Sequence, residues 1–171
     1  MSESAKYRHL TQPYLSGNGV DLGSGGTPVV PWAMSMDLPT GEFLHYRSNQ
    51  QPEHSIHLAG DARNLHWFRD GVLDFVYSSH LLEDFFEWEP VLAEWARVIK
   101  PGGHLVILVP DKQLWNEAIR NGQPPNCAHT HESRPGEISE YITRLGGFEI
   151  IQDRLTELFP GDYTVLLTTL S

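Results

Sequence analysis

The stretch GVDLGSGGTP, residues 19–28, runs from an apolar segment straight into a cluster of small residues, with Asp21 just ahead of the glycines. Glycine admits positive φ and close approach of a ligand to the main chain. Several kinds of turn need the same freedom, so the cluster gains meaning only from the residues downstream of it. Six residues, 27–32, join it to the next apolar run, and two of them are prolines, Pro28 and Pro31. A parallel crossover usually takes a dozen residues or more. The first crossover is therefore expected to be extended, with its helix nearly absent, which weakens any phosphate site built on a helix N-terminus.

Working outward, short apolar runs alternate with helical patterns, as in βαβ units. Strands are predicted over residues 19–22, 32–36, 55–58, 73–77 and 104–109, the last buried on both faces. Between the last two, Val91, Leu92, Trp95, Val98 and Ile99 recur along one helical face, with Trp88 and Trp95 as core residues. Pro101 and Gly102 stop that helix. A second helix is expected from Pro135, with Ile138, Tyr141, Ile142 and Leu145 facing the core and Gly146 ending it. Strands over 148–153 and 163–168 flank a short connection containing Pro160 and Gly161. That connection is too short for a crossover, so the two should pair antiparallel.

The chain has 171 residues, 40% of them hydrophobic, which suits one globular domain over 1–171 with one core. No apolar run reaches the roughly 20 residues of a membrane span, and the polar N-terminus has no signal-peptide core. Cys127 is the single cysteine. A cytoplasmic protein with no membrane role is the expectation. The formal net charge of -10 disfavours a nucleic-acid partner.

Chemistry-bearing residues fall where the first three strands end: Gly23, Ser24, Gly25 and Gly26, then Asp37 followed by Leu38, then Asp61 and Ala62. In open α/β sheets ligands bind beyond the carboxyl ends of the strands. An acid after the second strand can accept both ribose hydroxyls, and an acid with adjacent amides after the third can read an adenine edge. The set suits a nucleoside-bearing ligand. No Lys-Ser/Thr follows the glycines, so a P-loop is excluded. Pro28 stands where a dinucleotide fingerprint needs its last glycine, which disfavours a nicotinamide cofactor. Asp21 adds negative potential and so favours a positive ligand group, although a structural hydrogen bond to the loop would also explain it.

In these residues the chain resembles the class I S-adenosylmethionine-dependent methyltransferases of the small type-11 kind. D-L-G-S-G-G resembles their cofactor loop, Asp37 the acid after strand two, and G-D-A at 60–62 the adenine-side motif. L-D-F-V-Y-S-S-H-L-L-E-D at 73–84 and R-V-I-K-P-G-G-H-L at 97–105 match the segments around strands four and five. The resemblance implies a Rossmann-like three-layer sandwich, with a mostly parallel seven-stranded sheet of order 3-2-1-4-5-7-6 and the last strand antiparallel. It also implies S-adenosyl-L-methionine as cofactor, with Asp21, Gly23–Gly26, Asp37, Leu38, Asp61, Ala62 and Ser78 on its side of the site. The acceptor is expected to be a small or medium-sized molecule with an oxygen or nitrogen nucleophile, a sugar-related one included. A cofactor-binding module without catalysis remains the alternative, and a nicotinamide oxidoreductase a weaker one.

Methyl transfer is an in-line displacement, and a base helps only when the nucleophile starts protonated. His80, His129 and His131 are the candidates, because an unperturbed imidazole titrates near neutrality. His80 could equally cap or pack. Glu83 and Asp84 read as helix-start acids. Residues 110–134 read as a long polar substrate-side loop. C-A-H-T-H, residues 127–131, lacks a second ligand pair, so no metal is expected. The N-terminal segment, 1–16, with Tyr7 and Tyr14, is a candidate lid over the cofactor, and Leu65 a candidate apolar cover.

Overall fold

The computed structural model describes residues 7–38, 56–131, 133–156 and 165–170. Its elements, in chain order, are α1 (Arg8–Thr11), β1 (Gly19–Leu22), β2 (Met34–Asp37), β3 (Leu58–Ala59), β4 (Leu73–Ser79), α2 (Trp88–Arg97), β5 (Ile99–Pro110), α3 (Lys112–Arg120), α4 (Glu137–Leu145), β6 (Ile150–Thr156) and β7 (Val165–Leu170). Among these residues the strands lie side by side in the order β3-β2-β1-β4-β5-β7-β6. The pairs from β3 through β5 are parallel, and β7 runs antiparallel to both β5 and β6. This is the Rossmann-like arrangement that the motifs imply.

Alternation along β5 sorts the core into two layers. Leu105, Ile107 and Val109 face one side with Val20, Leu22, Met36 and Trp95, under α2 and α4. Val106 and Leu108 face the other with Phe75, Tyr77, Val29 and Val30. Period-two side-chain direction makes both sets fully buried.

The second layer explains how the sheet manages without a first crossover helix. Residues 23–33 hold no helix. Val29 and Val30 press directly onto the sheet, and Tyr7 and Leu15 pack beside them. Arg8 Nε donates to the Val29 carbonyl, and Trp32 Nε1 donates to the Leu15 carbonyl at 2.7 Å. The described part of the N-terminal segment is thus a patch over an otherwise bare sheet face. Tyr7 and Leu15 are core residues of that face, and residues 1–6 of the candidate lid lie outside the described residues.

Several boundaries differ from the sequence reading for local reasons. Residues 32–33 turn back, with Ala33 N donating to the Val30 carbonyl, so β2 starts at Met34. Of the expected third strand, Ser55 lies outside the described residues and pairing begins at Leu58. Leu73 pairs with Ile99 ahead of a bulge, which draws Lys100 to Gly103 into β5. Gly136, at φ 85°, stands at the N-cap of α4, so Pro135 belongs to the preceding turn. The last two strands begin two residues later than expected, and Pro160, Gly161 and Tyr163 lie outside the described residues.

The supposed long loop after β5 contains a helix. Asp111 caps α3 by accepting from Leu114 N at 2.9 Å, and Trp115 is buried beneath it. Asp111 with apolar Leu114, Trp115, Ala118 and Ile119 carried that signal in the sequence. No helix among the described residues is long and apolar enough to cross a membrane.

Candidate functional site

The carboxyl ends of β1, β2 and β3 meet around a cavity of about 250 Å³. Gly23, Met36, Asp37, Leu38, Asp61 and Ala62 line it from that side, and Leu81, Asp84, Phe85 and Ala128 close it from the other. Apolar walls with a few convergent polar groups are the usual make-up of a small-molecule site.

The glycine loop is fixed from beneath. Gly23 N donates to the Met36 carbonyl at 2.9 Å, and the Ser24 and Ser35 hydroxyls hydrogen-bond at 2.6 Å. Asp21 is fully buried, and its Oδ2 accepts from Val29 N at 2.6 Å. That bond braces the extended crossover, the structural one of the two roles weighed for this acid. Gly25, at φ 58°, occupies the left-handed region, and a Cβ there would meet nothing within 4 Å. Its bare backbone therefore borders open space.

Asp37 closes β2 and faces this loop. Its Oδ2 accepts from Gly25 N at 2.7 Å and its Oδ1 from Leu38 N at 2.8 Å. Burial pushes the Asp37 carboxyl up from the usual range, while the two amides pull it back. Asp61 behaves oppositely. Arg63 grips both of its oxygens, with Nε at 3.0 and 2.9 Å, and holds its carboxyl below the usual range. The cavity thus carries one carboxyl shifted up by burial and one shifted down by its arginine.

Gly60 N donates to the Asp37 carbonyl at 2.9 Å, which ties the Asp61 turn to β2. Behind that turn, Trp95 Nε1 donates to the Ala62 carbonyl at 2.8 Å. Leu65 is fully buried in the core and covers the turn from inside rather than from the cavity.

The remaining candidates sit differently. Ser78 is buried at the tip of β4, with its hydroxyl 3.5 Å from the Leu22 carbonyl. His80 follows at φ 56°, a left-handed conformation that a non-glycine residue rarely adopts. His129 is buried against the Trp115 ring, with centroids 4.8 Å apart. His131 stacks on Trp88 at 5.2 Å and places Nε2 3.1 Å from Glu137 Oε2. Those partners tie the loop that carries His131 to α2 and α4. Among the described residues no group of three or more His, Cys, Asp or Glu is placed to hold a metal ion.

The sequence reading missed Arg63, Phe85 and Ala128. Arg63 lies two residues past Asp61, a spacing that permits the bidentate contact, but nothing in one sequence marks it. Ala128 reaches the wall because Thr130 N and His131 N both donate to the Glu83 carbonyl at 2.9 Å. No local pattern announces such a tertiary contact.

Comparison with known proteins gives this geometry its class. Residues 20–107 match the methyltransferase domain family. A demethylmenaquinone methyltransferase of Mycolicibacterium gilvum is 36% identical over 88 residues, which cover 52% of this chain and 35% of that protein. Among solved structures, an S-adenosylmethionine-dependent methyltransferase from Mesorhizobium loti superposes with a TM-score of 0.66 at 18% identity, covering 95% of this chain and 94% of the other. The glycopeptide N-methyltransferase MtfA, solved with S-adenosyl-L-methionine, gives 0.66 at 14% identity, covering 99% and 93%. The chain belongs to the methyltransferase domain family and is a methyltransferase domain of the S-adenosylmethionine-dependent class. It spans about a third of the length of the curated relative just described.

Proposed function

We propose that the protein transfers the methyl group of S-adenosylmethionine to a small or medium-sized acceptor through an oxygen or nitrogen nucleophile. The observation that carries this reading is the convergence of the glycine loop, Asp37 and the Asp61–Ala62 turn on one cavity. The residues present fit the donor. Asp37 accepts the ribose hydroxyls, Asp61 and Ala62 face the adenine, and Gly23 to Gly26 border the methionine part. The bound donor supplies an activated methyl on a sulfonium, and the chain's task is alignment and exclusion of water.

Glycine at position 25 gives a sharp check. Gly25→Ala costs the fold only the left-handed backbone strain, about 1 kcal/mol, or roughly 2–4 °C in melting temperature for a chain of this size. The added methyl projects into the space above the loop. Affinity for S-adenosylhomocysteine is expected to fall at least about tenfold, worth about 1.4 kcal/mol. Calorimetric titration beside a thermal melt separates the two effects.

The reading as a whole is tested by titrating the protein with S-adenosylhomocysteine and by following its release from S-adenosylmethionine over a panel of alcohols, phenols, sugars and amines. Saturable binding with turnover on one acceptor class is the expected result. A melting temperature raised by nicotinamide dinucleotides and not by S-adenosylmethionine overturns it. Binding without turnover on any acceptor favours a non-catalytic module.

A further inference from the structure

The wall of the cavity that carries Asp61 and Ala62 also carries an ion pair. Arg63 N donates to Asp61 Oδ1 at 2.9 Å. Arg63 Nε lies 3.0 Å from Oδ1 and 2.9 Å from Oδ2, and Nη2 donates to Oδ2 at 2.5 Å. Both residues line the cavity, yet their side chains stay partly open, Asp61 36% and Arg63 64% exposed. Asp37 at the end of β2 and Asp84 on the opposite wall are the other charged groups lining the same space.

The turn itself does not need the guanidinium. Asn64 N donates to the Asp61 carbonyl at 3.1 Å, Gly60 N to the Asp37 carbonyl at 2.9 Å, and Trp95 Nε1 to the Ala62 carbonyl at 2.8 Å. The bond from Arg63 N to Oδ1 is one that any residue but proline supplies at that place. An ion pair this exposed also adds little to stability. What the guanidinium changes is the carboxylate, which offers about four lone-pair sites. The three Arg63 nitrogens engage both oxygens and take most of those sites. They leave a carboxylate fixed in one rotamer, with an acceptor direction to spare. The same contact holds the Asp61 carboxyl below the usual range.

We propose that Arg63 is a positioning residue for the donor's adenine: its fork holds the Asp61 carboxylate so that the spare lone pair accepts from the exocyclic amine, and this makes the site select adenine over a 6-oxo purine. The amine donates to a carboxylate, whereas a 6-oxo group only accepts and is repelled by it. A site built to receive an N–H rejects the analogue that lacks one, because its own polar group is then left unpaired. Lysine at this place would carry the charge without the planar fork that meets both oxygens. The proposal rests on the methyl-transfer reading and deepens it, by naming the residue that sets which nucleoside the donor site takes.

The test uses the whole protein and needs no acceptor. Calorimetry compares S-adenosylhomocysteine with S-inosylhomocysteine, in which a 6-oxo group replaces the amine. The ratio of the two affinities is the readout, because the ribose and amino-acid contacts, and any titration of Asp37, are common to both and cancel. The wild type is expected to prefer the adenine compound by at least about tenfold. Arg63→Gln brings the ratio to about threefold or less, Arg63→Lys falls between, and both melt within about 2 °C of the wild type. In an Asp61→Asn background, Arg63→Gln leaves the ratio where Asp61→Asn put it, since Arg63 acts through that carboxylate. A ratio unmoved in Arg63→Gln, or moved as much in the Asp61→Asn background as in the wild type, overturns the proposal. Failure of the wild type to bind S-adenosylhomocysteine sinks the methyl-transfer reading and this proposal with it. Firm binding with no preference over the inosyl compound overturns the proposal alone.

Discussion

Asp37→Ala weakens the binding of S-adenosylhomocysteine by about a hundredfold. Hydrogen bonds to a charged group contribute about 1.5–3 kcal/mol each, and two ribose hydroxyls together account for roughly the 2.7 kcal/mol that a hundredfold represents. Asp37→Asn keeps one acceptor oxygen and falls between, at about a tenfold loss. The carboxylate also gives binding a pH signature. Burial raises the Asp37 carboxyl, so its charge is lost on acidification at a higher pH than an ordinary aspartate would lose it. Donor affinity is therefore expected to decline as pH falls through that raised value. The decline disappears in Asp37→Ala, because Asp61, held low by Arg63, titrates further down. Calorimetry across pH in the wild type and the two variants reads all of this. Affinity independent of both the substitution and pH would contradict the ribose role.

Trp95→Ala has the largest expected effect on stability. The indole is fully buried, and its N–H holds the Ala62 carbonyl at 2.8 Å. Its ring meets Phe85 edge-on at 6.5 Å, and Phe85 lines the cavity. Truncating a buried tryptophan costs about 3–5 kcal/mol, or roughly 6–20 °C in melting temperature for a domain of this size. Trp95→Phe fills most of the space and loses the hydrogen bond. Its stability loss is smaller, while donor affinity still falls because the Asp61–Ala62 turn loses its tether. A Trp95→Phe protein with donor affinity unchanged would show that the turn is positioned without this bond.

Much of the fold was legible because its signals are local. The glycine cluster after β1, the acids at the ends of β2 and before Ala62, and the apolar face from Val91 to Ile99 each show in a few neighbouring residues. The short first crossover was legible from chain length alone. What replaces its helix was not, because Tyr7, Leu15, Val29 and Val30 come together only when the sheet has formed. α3 was hidden by its polar composition, although Asp111 and Trp115 marked it. Glu83 was read as an acid at a helix start. It is buried, and the loop that brings His129 to its side chain and the Thr130 and His131 amides to its carbonyl comes from a distant part of the chain, which no periodicity encodes. The partners of His131 were hidden for the same reason: Trp88 and Glu137 belong to two other helices.

The central claim is that one cavity at the tips of β1, β2 and β3 grips an adenosyl donor, with Asp37 on the sugar. A crystal structure of the protein with S-adenosylhomocysteine tests it most directly. Both ribose hydroxyls are expected within about 3 Å of the Asp37 carboxylate, with the adenine beside Asp61 and Ala62. A nucleoside bound elsewhere on the chain, with Asp37 still paired only to the amides of Gly25 and Leu38, would contradict it.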